Sequence, residues 1–202
     1  MKPPKLILAS QSPRRRLLLK QIGLRFSVRP SAVPEDVLDH EPPAHNAKRI
    51  ALSKALEISR RVRRGIVIGA DTIVVLGDRI LGKPKTRNEA RQMLHSLSGK
   101  MHTVYTAFAL IDAETGEQVV KLEKTKVWFR KLSSEEIRSY VATGSPMDKA
   151  GAYGIQDDYG AVFVKRVEGC FYTVVGFPLT LFFTTLHDFL LKQERNKKRK
   201  RA

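Results

Sequence analysis

The sequence predicts an α/β protein, a mixed sheet with flanking helices. Two observations lead there. Short apolar runs bounded by turn residues alternate along the chain with segments whose apolar residues recur at three-four spacing. Two long strand-like runs, Met101 to Asp112 and Gln118 to Phe129, are joined by a Glu-Thr-Gly turn at Glu114 to Gly116. The size agrees: 202 residues, 42% of them hydrophobic, suffice for one sizeable core or two small lobes sharing one.

Lys5 to Ala9 (KLILA) is a short strand, and a helix follows over roughly Arg14 to Ile22. Arg25 to Arg29 alternates as a second strand, and Pro30 to Pro43, rich in proline and acid, reads as a loop. His45 to Arg61 is a helix because Ala47, Ile50, Ala51, Ala55 and Ile58 share one face with the stem of Lys54, and Gly65 stops it. Ile66 to Leu76 is a buried strand, and Gly77-Asp78 turns it into Arg79 to Leu81. A helix from about Arg87 to Leu97 ends at Ser98-Gly99. After the long hairpin, Ser133 opens a helix with Glu136 three residues on, the capping-box pattern, and that helix ends near Gly144. Ala161 to Val167 and Cys170 to Val175 read as a hairpin about Glu168-Gly169, and Pro178 begins a last helix reaching about Leu191. No linker or repeat divides the chain, so residues 1–191 are expected as one domain, with 192–202 a basic, disordered tail.

Composition excludes several classes. One cysteine, Cys170, rules out an intramolecular disulfide and makes the cytoplasm the natural compartment. The apolar run Leu6 to Ala9 is too short for a signal peptide, and Gly176, Pro178 and four threonines interrupt the uncharged stretch Gly169 to Leu186, so no membrane span is expected. The net charge is +17; the tail holds seven basic residues against one acid, which leaves +11 elsewhere. A tail of this kind is ordinarily a solvated end, although a basic chain can also attract RNA or DNA in a salt-sensitive way. No RNP, KH or zinc-finger pattern accompanies it, and aromatics are only 7%, so a specific nucleic-acid partner is not expected. The basic excess suits a small polyanionic ligand equally well.

Three motifs carry chemistry. Ser10-Gln11-Ser12-Pro13-Arg14-Arg15 follows a strand and opens a helix: Ser12 suits the N-cap, Pro13 the first helical position, and the amide-rich helix end with two guanidinium forks is a ready anion site. An ordinary capped helix with solvated arginines fits those residues as well. Gly69-Ala70-Asp71-Thr72 puts a carboxylate inside an apolar strand, costly unless Asp71 is paired, metal-bound or merely at a strand end. Lys83, in Gly82-Lys83-Pro84 beyond the next turn, could reach the same cleft. Gly77 to Lys83 imitates the start of a Walker A motif, but Pro84 replaces the magnesium-binding hydroxyl and the context is a hairpin. In Asp148 to Gln156 (DKAGAYGIQ), glycines permit close backbone approach and Gln156 offers a donor and an acceptor to a base edge; a tight turn packed on the sheet is the plain alternative. The five histidines and single cysteine have no metal-ligand spacing, whereas Glu35, Asp36 and Asp71 are hard oxygen donors for a divalent cation.

Taken in order, these motifs resemble the Maf family of nucleoside triphosphate pyrophosphatases. The resemblance runs from Leu6 to about Leu190 through LILASQSPRR (6–15), Glu35, Lys54, GADTIVVL (69–76), GKP (82–84), HTVYTAFAL (102–110), DKAGAYGIQ (148–156) and GCFYTVVGFPL (169–179). It implies an elongated fold with a cleft between two lobes, related to inosine triphosphate pyrophosphatases, a magnesium or manganese cofactor, and cytoplasmic hydrolysis of a nucleoside triphosphate to monophosphate and pyrophosphate. DKAGAYGIQ is similar to the branch acting on dTTP and UTP; the 7-methyl-GTP branch is the alternative, and a basic nucleic-acid-binding protein the alternative of another class. By position, Asp71 matches the proton acceptor, Arg14, Thr72 and Gln156 the specificity positions, and Ser10, Arg15, Glu35, Lys54 and Lys83 the remaining polar positions of the cleft. Glu35 and Asp71 would hold the metal. The resemblance leaves a homodimer open and allows modified pyrimidine triphosphates, a house-cleaning role, as substrates. Phe177, where leucine is common, and the basic tail depart from the family pattern.

Overall fold

The computed structural model describes residues 4–156 and 158–199. Seven strands form one mixed sheet in the order β2-β1-β3-β5-β6-β7, with β4 paired to the far end of β3. β1 (Leu6–Leu8) lies between β2 (Phe26–Val28) and β3 (Ile66–Leu76) and is parallel to both. The remaining pairs are antiparallel: β3 with β4 (Arg79–Leu81) and with β5 (Met101–Asp112), β5 with β6 (Gln118–Phe129), and β6 with β7 (Val164–Glu168). The parallel pairs need helical crossovers, α1 (Pro13–Gln21) and α2 (Pro43–Ser59), while the antiparallel ones close through short turns.

Strand alternation sorts the core onto two faces. Ile68, Ala70 and Val74 of β3 and Val104, Phe108 and Leu110 of β5 point to the larger core, roofed by α1, α3 (Arg87–Leu97), α4 (Ser134–Ala142) and α7 (Leu179–Arg199). Phe108 anchors it, with ring centroids 5.9 Å from Phe177 and 5.5 Å from Phe182, so the unusual Phe177 is a packing residue. The opposite face, with Ile73, Val75, Ala107 and Ala109, is covered by Ala47, Ala51, Ala55 and Ile58 of α2. Small residues let that helix lie close. A Cβ added to Gly69 would stand 2.1 Å from the Ala51 carbonyl oxygen, so only glycine permits this approach. The contact fixes the height of Lys54 above β3.

Local signals act as the sequence indicates at several ends. Ser12 caps α1, accepting from the Arg15 amide at 3.4 Å, and Ser133 and Glu136 form the reciprocal capping box of α4 at 3.1 and 2.8 Å. Gly77-Asp78 does turn β3 into β4.

The expected hairpin of Ala161–Val167 with Cys170–Val175 does not form. Its first half is the end of a helix, α5 (Asp158–Phe163), followed by β7 pairing with β6. Gly169 (φ 122°) ends β7 against Thr125 of β6, whose hydroxyl donates to the Cys170 carbonyl at 3.0 Å. Phe171–Val175 then winds into a short helix, α6, closed at left-handed Gly176. β-Rich composition in FYTVV is overridden because the turn at Gly169 and the Thr125 bond to Cys170 lead the chain away from the outer edge of β7 before it can pair. The last helix, expected to end near Leu191, continues to Arg199. Lys192 reaches Glu117 and Gln193 is buried, so the first turn beyond Leu191 still has partners. Residues 200–202 of the expected tail lie outside the described residues.

Candidate active site

At the C-terminal end of β1 the sheet opens into a cavity of about 450 Å³. Nine of the residues singled out from the sequence line it, Ser10, Arg14, Arg15, Glu35, Lys54, Asp71, Thr72, Lys83 and Gln156, whereas Asp36, the third candidate oxygen donor, is not among the lining residues. The nine come from six separate segments, so only the fold brings them together.

Lys54 is the hub. Its ammonium, 6% exposed, donates to Asp71 Oδ1 and to Glu35 Oε1, both at 2.7 Å. Lys83 reaches the other Glu35 oxygen, Oε2, at 2.6 Å. Glu35 is carried in by the irregular segment after β2, which is pinned where Ser31 and the Ala32 amide bond Glu57 of α2. Lys83 is fixed from behind, because Gly151 N–H donates to the Gly82 carbonyl at 3.0 Å. The two carboxylates have opposite electrostatics. Burial works to raise Glu35, but Lys54 and Lys83 outweigh it and pull the carboxyl down to about 2. At Asp71 burial wins over the opposing charges of Lys54 and Arg15, and its carboxyl is pushed above the usual range. Asp71 makes no hydrogen bond through its second oxygen among the described residues.

Arg15 departs from the simple phosphate fork. Buried at 8% exposure, it spends its donors on protein: Nε on the Gly176 carbonyl at 3.0 Å, one terminal nitrogen on Ala70 O (3.0 Å) and Ser10 Oγ (3.2 Å), the other on Thr72 Oγ1 (3.1 Å). It therefore clasps α1, β3 and the end of α6 together. The helix end is partly committed as well, since Ser12 N–H donates to Ser10 Oγ at 3.2 Å and Arg15 N–H to Ser12 Oγ. Arg14, by contrast, lies across the cleft. It bonds Asp148 through the carboxylate at 2.8 Å and the main-chain carbonyl at 3.2 Å.

Asp148 and Lys149, the first two residues of DKAGAYGIQ, carry no role in the sequence reading, and both line the cavity. Lys149 steadies the second Asp148 oxygen at 2.9 Å. Thr106, inside the matched stretch HTVYTAFAL but without a role there, stands directly opposite Thr72. Gly151 and Ala152 are both left-handed (φ 71° and 61°), and the turn they make packs Gly151 on Val74 and delivers Tyr153, Gly154 and Gln156 to the wall. Tyr153 is braced by His102, whose Nε2 lies 2.7 Å from its hydroxyl.

The cleft is thus lined by cations and two dissimilar carboxylates together with Val74, Val104, Tyr153, Val174 and Gln156. That mixture suits an amphipathic ligand with an anionic chain and a flat polar-edged ring. Among the described residues no group of three or more His, Cys, Asp or Glu side chains is placed to hold a metal, and no helix is long and apolar enough to cross a membrane.

Comparison with known proteins agrees with the resemblance. The family described as Maf-like protein matches residues 5–189. The dTTP/UTP pyrophosphatase of Moorella thermoacetica is 49% identical over 175 residues, 87% of this chain and 90% of that one. The protein of the same name from Desulforamulus reducens is 46% identical over 184 residues, 91% and 96% of the two chains. Among solved structures, the Staphylococcus aureus Ham1 protein aligns with 62% of this chain and 71% of its own at a TM-score of 0.39 and 13% identity, a distance at which nothing about the site transfers.

Proposed function

The chain belongs to the Maf family, and we propose that it hydrolyses dTTP and UTP to the monophosphate and pyrophosphate. One observation carries the reaction class: Lys54 bridges Asp71 and Glu35 at 2.7 Å each, in a cleft that Lys83, Arg14 and Gln156 also line. The near relatives' shared name supplies the substrate, and the 7-methyl-GTP and nucleic-acid alternatives have no comparable support.

In this reading Asp71 is the general base. A buried carboxyl whose pKa is raised is a better proton acceptor than an ordinary aspartate, and its second oxygen is the one available to a water. Lys54 holds the first oxygen and so aims the second. Water attacks the α-phosphorus, its proton passes to Asp71, and the bond from that phosphorus to the α,β-bridging oxygen breaks to release pyrophosphate. Arg14, Lys54 and Lys83 meet the charge that grows on the departing group. Ser10 and Arg15 hold the frame of the helix end, and Gln156 and Thr72 face the base.

The donor set fits a divalent cation of the magnesium or manganese kind. Such ions are commonly held by one or two carboxylates together with substrate phosphates, and Glu35 and Asp71 are two hard donors joined through one lysine. Glu35 would hold the ion, which would supply charge neutralisation at the phosphates and leave the second Asp71 oxygen to the water. A cytoplasmic nucleotide pool is the substrate source this reading requires.

A panel of nucleoside triphosphates, assayed with magnesium or manganese and scored for pyrophosphate against orthophosphate, tests the proposal. dTTP and UTP should head the panel with pyrophosphate as first product. Orthophosphate as first product, or a preference for 7-methyl-GTP, would refute it.

A further inference from the structure

Behind Thr72 runs a chain of hydroxyls whose direction can be deduced. Thr106 Oγ1, fully buried on β5 directly opposite Thr72, lies 2.8 Å from the Thr173 main-chain carbonyl and 3.0 Å from Thr72 Oγ1. A carbonyl only accepts, so the single Thr106 proton goes to Thr173. Thr106 is then an acceptor toward Thr72, and the single Thr72 proton points at Thr106. Arg15 donates to the same Thr72 oxygen at 3.1 Å. The Thr72 hydroxyl therefore has no proton left for the cleft it lines and presents only a lone pair there.

We infer that Thr106 is a positioning residue for base selection. By drawing the Thr72 proton inward, it makes Thr72 a fixed acceptor that favours a ring N3–H over a bare ring nitrogen. Uracil and thymine carry that hydrogen and cytosine does not. A hydroxyl whose one proton is committed offers the base an acceptor and nothing else. Leaving a site's polar group facing another lone pair is what makes rejection effective. The inference rests on the proposed pyrimidine triphosphate reading and names the group that enforces it.

Thr106→Val tests it. The two side chains have nearly the same shape, and the Thr173 carbonyl keeps a second donor, the Gly176 amide at 3.2 Å, so the change leaves that buried acceptor paired. With Thr106 unable to accept, the Thr72 hydroxyl is free to turn its proton to the cleft. We expect the UTP-to-CTP ratio of kcat/KM to fall about tenfold, mainly through a gain with CTP, while inhibition by base-free tripolyphosphate stays the same. Thr106→Ser, which keeps the relay, should retain the wild-type ratio. A wild-type ratio in Thr106→Val, or an equal loss with both nucleotides, would overturn the assignment, as would a wild-type enzyme that does not separate UTP from CTP. A wild-type chain releasing no pyrophosphate from UTP would remove the functional reading itself, and that result appears before any variant is made. Should Thr106→Val fail to fold, Thr106→Ala carries the same expectation.

Discussion

Consider Gly69→Ala, a single methyl group placed where α2 crosses β3. The new Cβ would stand 2.1 Å from the Ala51 carbonyl oxygen and 2.8 Å from the Ala55 amide nitrogen, against about 3.0 Å for the tightest contacts real Cβ atoms make. Both neighbours are helix backbone and cannot swing aside, so α2 must rise by roughly 1 Å. Lys54 rides on that helix. Its 2.7 Å bonds to Asp71 and Glu35 would stretch beyond hydrogen-bonding distance unless the side chain gives way. Overpacking of this kind costs about 1–3 kcal/mol, a fall in Tm of roughly 2–12 °C for a chain of this length. Displacing a catalytic group by about 1 Å can cost on the order of 10²-fold in rate. Pyrophosphate release from dTTP, measured beside thermal unfolding, reads both quantities. Gly116→Ala is the control: it lies in the β5–β6 turn with φ 74° and open space around it. That change should cost about 1–2 kcal/mol of backbone strain without touching turnover. Wild-type kcat in Gly69→Ala would refute the argument that helix height sets the Lys54–Asp71 geometry.

Two further outcomes follow from the same geometry. Asp71→Asn should bind a non-hydrolysable dTTP analogue by calorimetry yet lose about 10²–10⁴-fold in kcat, the usual loss of a general base; unchanged turnover would remove Asp71 from that role. His102 is buried, and burial lowers its pKa to about 4 from an ordinary 6.5. The folded state therefore resists protonation that the unfolded chain accepts, so its stabilising contribution is complete above pH 6.5 and is lost as pH falls toward 4. Urea unfolding at pH 7 and pH 4 should differ by up to about 3 kcal/mol from this group, and a pH dependence unchanged in His102→Phe would exclude it.

Much of the site is legible in the sequence because it sits on regular elements with clear signals. Ser12 and Pro13 announce a helix start, a carboxylate inside IVIGADTIVVL announces a special environment, and the three-four spacing of α2 puts Lys54 on its buried side. Partnership is less legible, because it depends on tertiary neighbours. Arg15 reads as a phosphate ligand, yet the carbonyls of Ala70 and Gly176 absorb it. Asp148 is simply a residue before a lysine until the turn brings it 2.8 Å from Arg14. Thr106 is one of several threonines in a strand, and only its register opposite Thr72 gives it a purpose. The misread hairpin has the same origin: FYTVV has strand-forming residues, but Gly169 and the Thr125 hydroxyl turn the chain away from the sheet before it can pair.

The central claim is attack of water at the α-phosphorus, and hydrolysis of dTTP in ¹⁸O-water tests it most directly. Mass spectrometry of the products should find one labelled oxygen in dTMP and none in pyrophosphate. Label in pyrophosphate with unlabelled dTMP would place the attack on the β-phosphorus and contradict the account.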